Sequence, residues 1–307
     1  MEYVLQAQGL VKSYRGQKVL KGVSMNIRRG DIYGFVGENG SGKTTVIRAI
    51  TGLIRTESGE FTLFGVKNTD PAILSARARV GAIVESPSIY LNMSAKENLL
   101  MQSRILGIKN EEKCKETLAI VGLEDLWEHK KSAENFSLGM RQRLGIAMAL
   151  LGDPEFIILD EPMNGLDPVG IVEIRELILR LNRDKNITFL ISSHILTELA
   201  LVATRYGIIS KGKILQEISA SELSSISTLT TEIKSSNKDA LVSLVCSSFD
   251  ALNISEIDDG ITIKGEIDLN AVLGKIISAG IPITAVNTRH SSIEEYYLTM
   301  SGGTHHA

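Results

Sequence analysis

Gly37-Glu-Asn-Gly-Ser-Gly-Lys-Thr44 restricts the fold more than any other stretch of this chain. It satisfies the spacing G-x-x-x-x-G-K-[ST] at every fixed position. Ile32-Tyr-Gly-Phe-Val36 before it reads as a buried strand, and Thr45-Val-Ile-Arg-Ala-Ile-Thr51 after it reads as the start of a helix. That strand–loop–helix context is what makes the motif a phosphate-binding loop. Its glycines let successive backbone N–H groups curl around a phosphate. The helix N-terminus adds partial positive charge. Lys43 is expected to reach the β- and γ-phosphates of a nucleotide, and the Thr44 hydroxyl to hold Mg²⁺. Gly37, Asn39, Gly40, Ser41, Gly42 and Thr45 complete the expected cradle.

A phosphate loop alone fits kinases, GTPases, helicases and transport ATPases. Phe156-Ile-Ile-Leu-Asp160-Glu161 narrows the field, because it is an apolar strand ending in two acids. Asp160 is expected to hold Mg²⁺, directly or through water. Glu161 is placed to polarise a water that attacks the γ-phosphate.

The 307 residues suffice for two domains. Phe156–Asp160 and Ile187–Ser192 suit buried parallel strands, with helix-like stretches such as Val169–Arg183 between them. An α/β core follows, with its ligand at the C-terminal ends of the strands. Tyr3–Ala7, Val23–Ile27 and Glu60–Leu63 read as an antiparallel, β-rich flank. The small polar residues near Ser219 predict a linker over 221–229. Beyond it, Thr230–Lys234, Lys238–Ser248, Leu252–Ile257, Ile261–Lys264, Leu269–Ala279 and Ile281–Val286 predict a β-α-β-β-α-β domain of ferredoxin-like type, closed by a helix Ile293–Met300. The expected domains are thus 1–220 for nucleotide and 230–301 for an accessory α+β unit. His305 and His306 in the tail 302–307 read as a ragged end rather than a metal pair.

Net charge is −3, so no basic field argues for nucleic acid. The two cysteines, Cys114 and Cys246, suggest neither a disulfide framework nor a metal site. Met1-Glu-Tyr-Val-Leu lacks the basic segment of a secretion signal. Leu144–Leu151, the longest candidate apolar run, is far short of the roughly 20 residues that span a bilayer. Any action at a membrane is expected to pass through a partner.

Phe136-Ser-Leu-Gly-Met-Arg-Gln-Arg143 resembles the signature of ABC-family ATPases, Leu-Ser-Gly-Gly-Gln followed by x-Gln-Arg. Ser137, Gly139, Gln142 and Arg143 match, whereas Phe136, Leu138 and Met140 depart. Ser137 also reads as an ordinary N-cap. Asn164-Gly-Leu-Asp167 resembles the family's dimer-interface loop, with Asp167 its key acid. His194 resembles the switch histidine at the γ-phosphate. Tyr14 resembles the aromatic that stacks on adenine, with a core tyrosine as the alternative. The resemblance covers about residues 3–220. It implies a P-loop ABC-type core with a helical subdomain, binding ATP and Mg²⁺. It also implies a homodimer in which Ser137 and Gly139 of one copy face the nucleotide of the other, and a separate transmembrane permease.

Glu85 stands where such ATPases usually carry Gln, after the strand Val80–Val84. A carboxylate could approach Mg²⁺ or accept from the attacking water, but it cannot donate. It adds negative charge near a triphosphate, which is costly without a cation close by. Glu85-Ser-Pro-Ser-Ile-Tyr-Leu-Asn-Met-Ser-Ala-Lys-Glu-Asn98 is similar to the ATPases of bacitracin-resistance and lantibiotic-immunity exporters, as is Ser292–Leu298. This implies a peptide antibiotic as cargo and a place on the cytoplasmic face of the membrane, held by the permease. A generic exporter ATPase is the alternative. A soluble translation or repair ATPase fits worse, because there is one nucleotide domain and no sustained heptads between Glu85 and Ser137.

Overall fold

A computed structural model describes residues 2–226, 229–249 and 252–290, which fall into two compact units, Met1–Ala220 and the remainder. The helix expected at Ile293–Met300, the 292–298 similarity and the tail histidines lie outside the described residues.

In the first unit, β1 (Tyr3–Tyr14) and β2 (Gln17–Arg28) form a long antiparallel hairpin. β3 (Ile32–Val36), buried at every residue, leads through the phosphate loop into α1 (Lys43–Thr51). β4 (Ser58–Leu63) returns to pair with β1, followed by β5 (Val66–Lys67). After α2 (Ile73–Arg77) comes β6 (Val80–Ile83). A helical subdomain contains α3 (Ala95–Ile105), α4 (Glu111–Ile120) and α5 (Leu138–Leu150). The chain then alternates through β7 (Phe156–Asp160), α6 (Pro168–Lys185), β8 (Thr188–Ser193), α7 (Leu196–Ala200), β9 (Arg205–Ser210) and β10 (Lys213–Ser219).

Two sheets result. The flank has the order β2-β1-β4-β5, and the core has the order β10-β9-β3-β8-β7-β6. β9, β3, β8, β7 and β6 are parallel, and β10 is antiparallel to β9. β7 and β8 are buried throughout, as parallel strands covered on both faces require. One apolar core joins both sheets to α1, through Val4, Leu10, Met25, Phe35, Ile47 and Phe156 among others. Burying each such side chain is worth roughly 1.5–3 kcal/mol. This order sets β3, β8 and β7 side by side, so the loops at their C-terminal ends meet.

The stretch expected as a linker is helical over α8 (Ala220–Ile226). The second unit continues with β11 (Leu229–Ser235), α9 (Lys238–Ser248), β12 (Asn253–Ile257), β13 (Gly260–Lys264), α10 (Leu269–Ser278) and β14 (Ile283–His290). Its wholly antiparallel sheet has the order β12-β13-β11-β14. Ile233, Leu241, Val245, Ile261, Val272 and Ile276 pack as its own core.

At the opposite end of the core sheet from the phosphate loop, Glu155 lies between two cations. Its Oε1 is 2.5 Å from Arg79 Nε and its Oε2 is 2.7 Å from Arg29 Nη1. The Arg79 hydrogen bond, more than the Arg29 one, holds its carboxyl down to about 2, against partial burial. A carboxylate with a depressed folded pKa adds stability above its unfolded value, near 4.5, and loses it as pH falls towards about 2. Glu155→Gln should therefore lower the melting temperature at pH 7. The gap from wild type should shrink between pH 4.5 and 2, as thermal melts across that range would show.

Candidate nucleotide site

The phosphate loop is built by close approach. A Cβ on Gly37 would lie 2.3 Å from the Ile209 carbonyl oxygen, so only glycine fits there. Gly42 caps α1 at φ 112°, a left-handed conformation that L side chains avoid. Lys43 is buried, 5% exposed. Its Nζ donates to the Gly37 carbonyl at 2.6 Å and to the Glu38 carbonyl at 3.3 Å. Thr44 and Thr45 are half-buried at the start of the same helix.

The acids at the end of β7 are fixed from β8. Ser192 Oγ donates to Asp160 Oδ1 at 2.5 Å and accepts from the Glu161 N–H at 2.9 Å. Glu161 itself takes φ 52°, a left-handed turn that swings it out of the strand direction. Its Oε1 lies 3.3 Å from Lys43 Nζ, and its Oε2 lies 2.7 Å from His194 Nδ1. Lys43, Glu161 and His194 thus form one continuous chain of contacts. Nearby, burial raises the Glu198 carboxyl, with His194 opposing and Glu161 adding to the effect.

Asp160 Oδ2 is buried and has no hydrogen-bond partner, as is Ser41 Oγ. Buried polar atoms are normally satisfied. An unpartnered carboxylate oxygen near the helix that bears Thr44 fits Mg²⁺, which takes one or two protein oxygens and completes its shell with water and phosphate. Among the described residues no cluster of three or more His, Cys, Asp or Glu is placed for a metal. A site completed by the nucleotide needs none.

The other expected residues fall in three places. Glu85 follows β6, and its Oε1 is ion-paired at 2.5 Å to Arg48 Nη2 on α1. Tyr14 ends β1, 39% exposed, with Lys12 Nζ 5.5 Å from its ring centroid. It is not a core tyrosine. Ser137 and Gly139 lie with Asp167 in a separate group. Ser137 Oγ accepts from the Met140 N–H at 3.2 Å, so it does cap α5. Asp167 caps α6 by accepting from the Gly170 N–H at 3.0 Å. Leu138 packs beside Gly165, where an added Cβ would meet its Cδ2 at 3.3 Å. The signature and the Asn164–Asp167 loop therefore form one surface.

Two residues of this site were not legible in the sequence. Ser192 was hidden inside an apolar strand, although its place two residues before His194 was a cue. Arg48 lies four residues after Thr44, so helical periodicity puts both on one face of α1.

Residues 20–164 match the ABC transporter family. Over 99% of both chains the sequence is 41% identical to the bacitracin transport ATP-binding protein BcrA of Bacillus licheniformis. It is 40% identical to the lantibiotic transport ATP-binding protein SrtF of Streptococcus pyogenes, over 70% of this chain and 90% of that one. The fold matches CbiO1 of Clostridium perfringens, part of an ABC transporter complex, with a TM-score of 0.66 and 23% identity. That match covers 81% of this chain and 97% of that one. It also matches an ATP-binding cassette, MJ0796, solved as a dimer with ADP and Pi, with a TM-score of 0.63 and 23% identity over 70% and 98%. The chain belongs to the ABC transporter family, as an ATP-binding and ATP-hydrolysing subunit.

Proposed function

We propose that this ATPase drives export of a peptide antibiotic through a separate membrane permease, conferring resistance or self-immunity. The observation that carries the hydrolytic half is the chain Lys43–Glu161–His194, which joins the phosphate loop to a carboxylate and an imidazole. The cargo rests on full-length similarity to a bacitracin transport protein and on similarity to a lantibiotic transport protein.

On this reading the phosphate loop wraps the triphosphate, with Lys43 supplying charge to the γ-phosphate. Tyr14 stacks on the base. Glu161 accepts a proton from the attacking water while His194 orients it. Thr44 and Asp160 would hold Mg²⁺, with Glu85 beside them; that ion supplies neutralisation of the developing phosphate charge. Ser137 and Gly139, capped at the start of α5, face the nucleotide of a second copy, and Asp167 lines the same surface. Among the described residues no helix is long and apolar enough to cross a membrane. By its similarity to transport ATP-binding proteins the subunit is assigned to the cytoplasmic face of the membrane, held there by the permease. Residues 230–301 are assigned to an accessory, ferredoxin-like domain with a structural or regulatory role.

Glu161→Gln should keep ATP binding but lose turnover by about 10²-fold or more, measured as phosphate release by the purified subunit with its permease. Near-normal hydrolysis would remove Glu161 from the mechanism. Cells expressing wild type with its permease should grow in bacitracin or a lantibiotic, and cells carrying Glu161→Gln should not. Equal sensitivity of both strains, with the complex assembled, would assign the ATPase a different cargo.

A further inference from the structure

We infer that Arg48 is the counter-ion that lets a carboxylate stand at position 85 beside a bound triphosphate. Two glutamates occupy matching places. β6 and β7 pair in parallel with Ile83 opposite Leu159, so Glu85 and Glu161 both lie two residues past the last paired position. Both take left-handed backbone, at φ 65° and 52°. Neighbouring parallel strands run about 4.8 Å apart, so the two glutamates follow adjacent strand ends. Each glutamate has its own cation, and both cations come from α1. Lys43 Nζ is 3.3 Å from Glu161, and Arg48 Nη2 is 2.5 Å from Glu85.

The spacing on α1 explains the division of work. Arg48 is one turn beyond Thr44 on the same helix face, about 6 Å further along the axis. From there it pairs with the Glu85 carboxylate one helical turn beyond Thr44, away from the end of α1 that opens on the phosphate loop. An unpaired carboxylate at that distance would repel the nucleotide. A glutamine would not, and would need no such partner. Arg48 is thus a positioning residue, acting on the nucleotide through Glu85. The planar guanidinium suits this, since it fits a carboxylate edge.

This inference rests on the placing of Glu85 at the Mg²⁺ end of the nucleotide, proposed above, and not on the identity of the cargo. The test is a double-mutant cycle on equilibrium binding of ATP in excess EDTA, so that neither Mg²⁺ nor turnover enters the readout. Arg48→Gln should weaken binding about fivefold, a coupling of ordinary size for a contacting pair. The double variant Arg48→Gln/Glu85→Gln should return to within about twofold of wild type. Circular dichroism and melting of each variant exclude unfolding as the cause. Equal weakening by Arg48→Gln with and without Glu85 would overturn the inference, because Arg48 would then act on the phosphates directly. Unchanged binding in Arg48→Gln with altered binding in Glu85→Gln would also overturn it, while leaving Glu85 at the nucleotide. No change in any variant would overturn both the counter-ion and the placing of Glu85.

Discussion

A buried ammonium has to be paired, and Lys43 meets that demand with the Gly37 and Glu38 carbonyls and the Glu161 carboxylate. Removing one partner of such a buried ion costs about 3–5 kcal/mol. Much of the site follows from this requirement. The loop must close far enough for two of its own carbonyls to face Lys43, which is why Gly37 lies against the Ile209 backbone with no room for a side chain. Glu161 must leave β7 in the direction of α1, which it does through a left-handed residue. His194 then completes the chain from the far side, at 2.7 Å.

The left-handed glutamates are informative because they are costly. A non-glycine residue in that region forfeits about 1–3 kcal/mol, and such strain persists only where surrounding contacts hold it. Glu161 is held by the Ser192 hydroxyl at its N–H and by Lys43 and His194 at its carboxylate. Glu85 is held by Arg48, in a pair whose arginine and glutamate side chains are 37% and 59% exposed. An exposed ion pair alone is worth little, about 0–1 kcal/mol. The Arg48 pair is therefore better understood as setting where a charge sits than as holding the fold together.

What could be read from the sequence was local, and what could not be read depended on register. The phosphate loop, the Asp160–Glu161 strand end and the alternation of the core each rest on residues close together in the chain. The Lys238–Ser248 helix and the strands around it were legible for the same reason, from periodicity within a few residues. Arg48 and Glu85 are 37 residues apart, and only the pairing of β6 with β7 beside α1 brings them together. Ser192 faces Asp160 because β7 and β8 pair with those two residues in register, and an apolar run does not announce its neighbour. At the boundary between the two units, where small polar residues predict a linker, the chain is helical over Ala220–Ile226.

The loop after β6 is also tied at its far end, and this bears on how binding energy could leave the nucleotide site. Glu85 is fastened to α1 through Arg48. Five residues on, Tyr90 is clamped by the fully buried Asn98, which accepts from the Tyr90 N–H at 2.7 Å and donates to its carbonyl at 3.0 Å. Ser94 then opens α3 with a reciprocal capping box to Glu97. A segment anchored to α1 at one end and to α3 at the other has little slack. Displacement of α1 against the helical subdomain pulls on a loop held at both of these places. The exposed Arg48–Glu85 pair is the weaker of the two ties, so it sets where the carboxylate sits while the buried Asn98 clamp holds the loop.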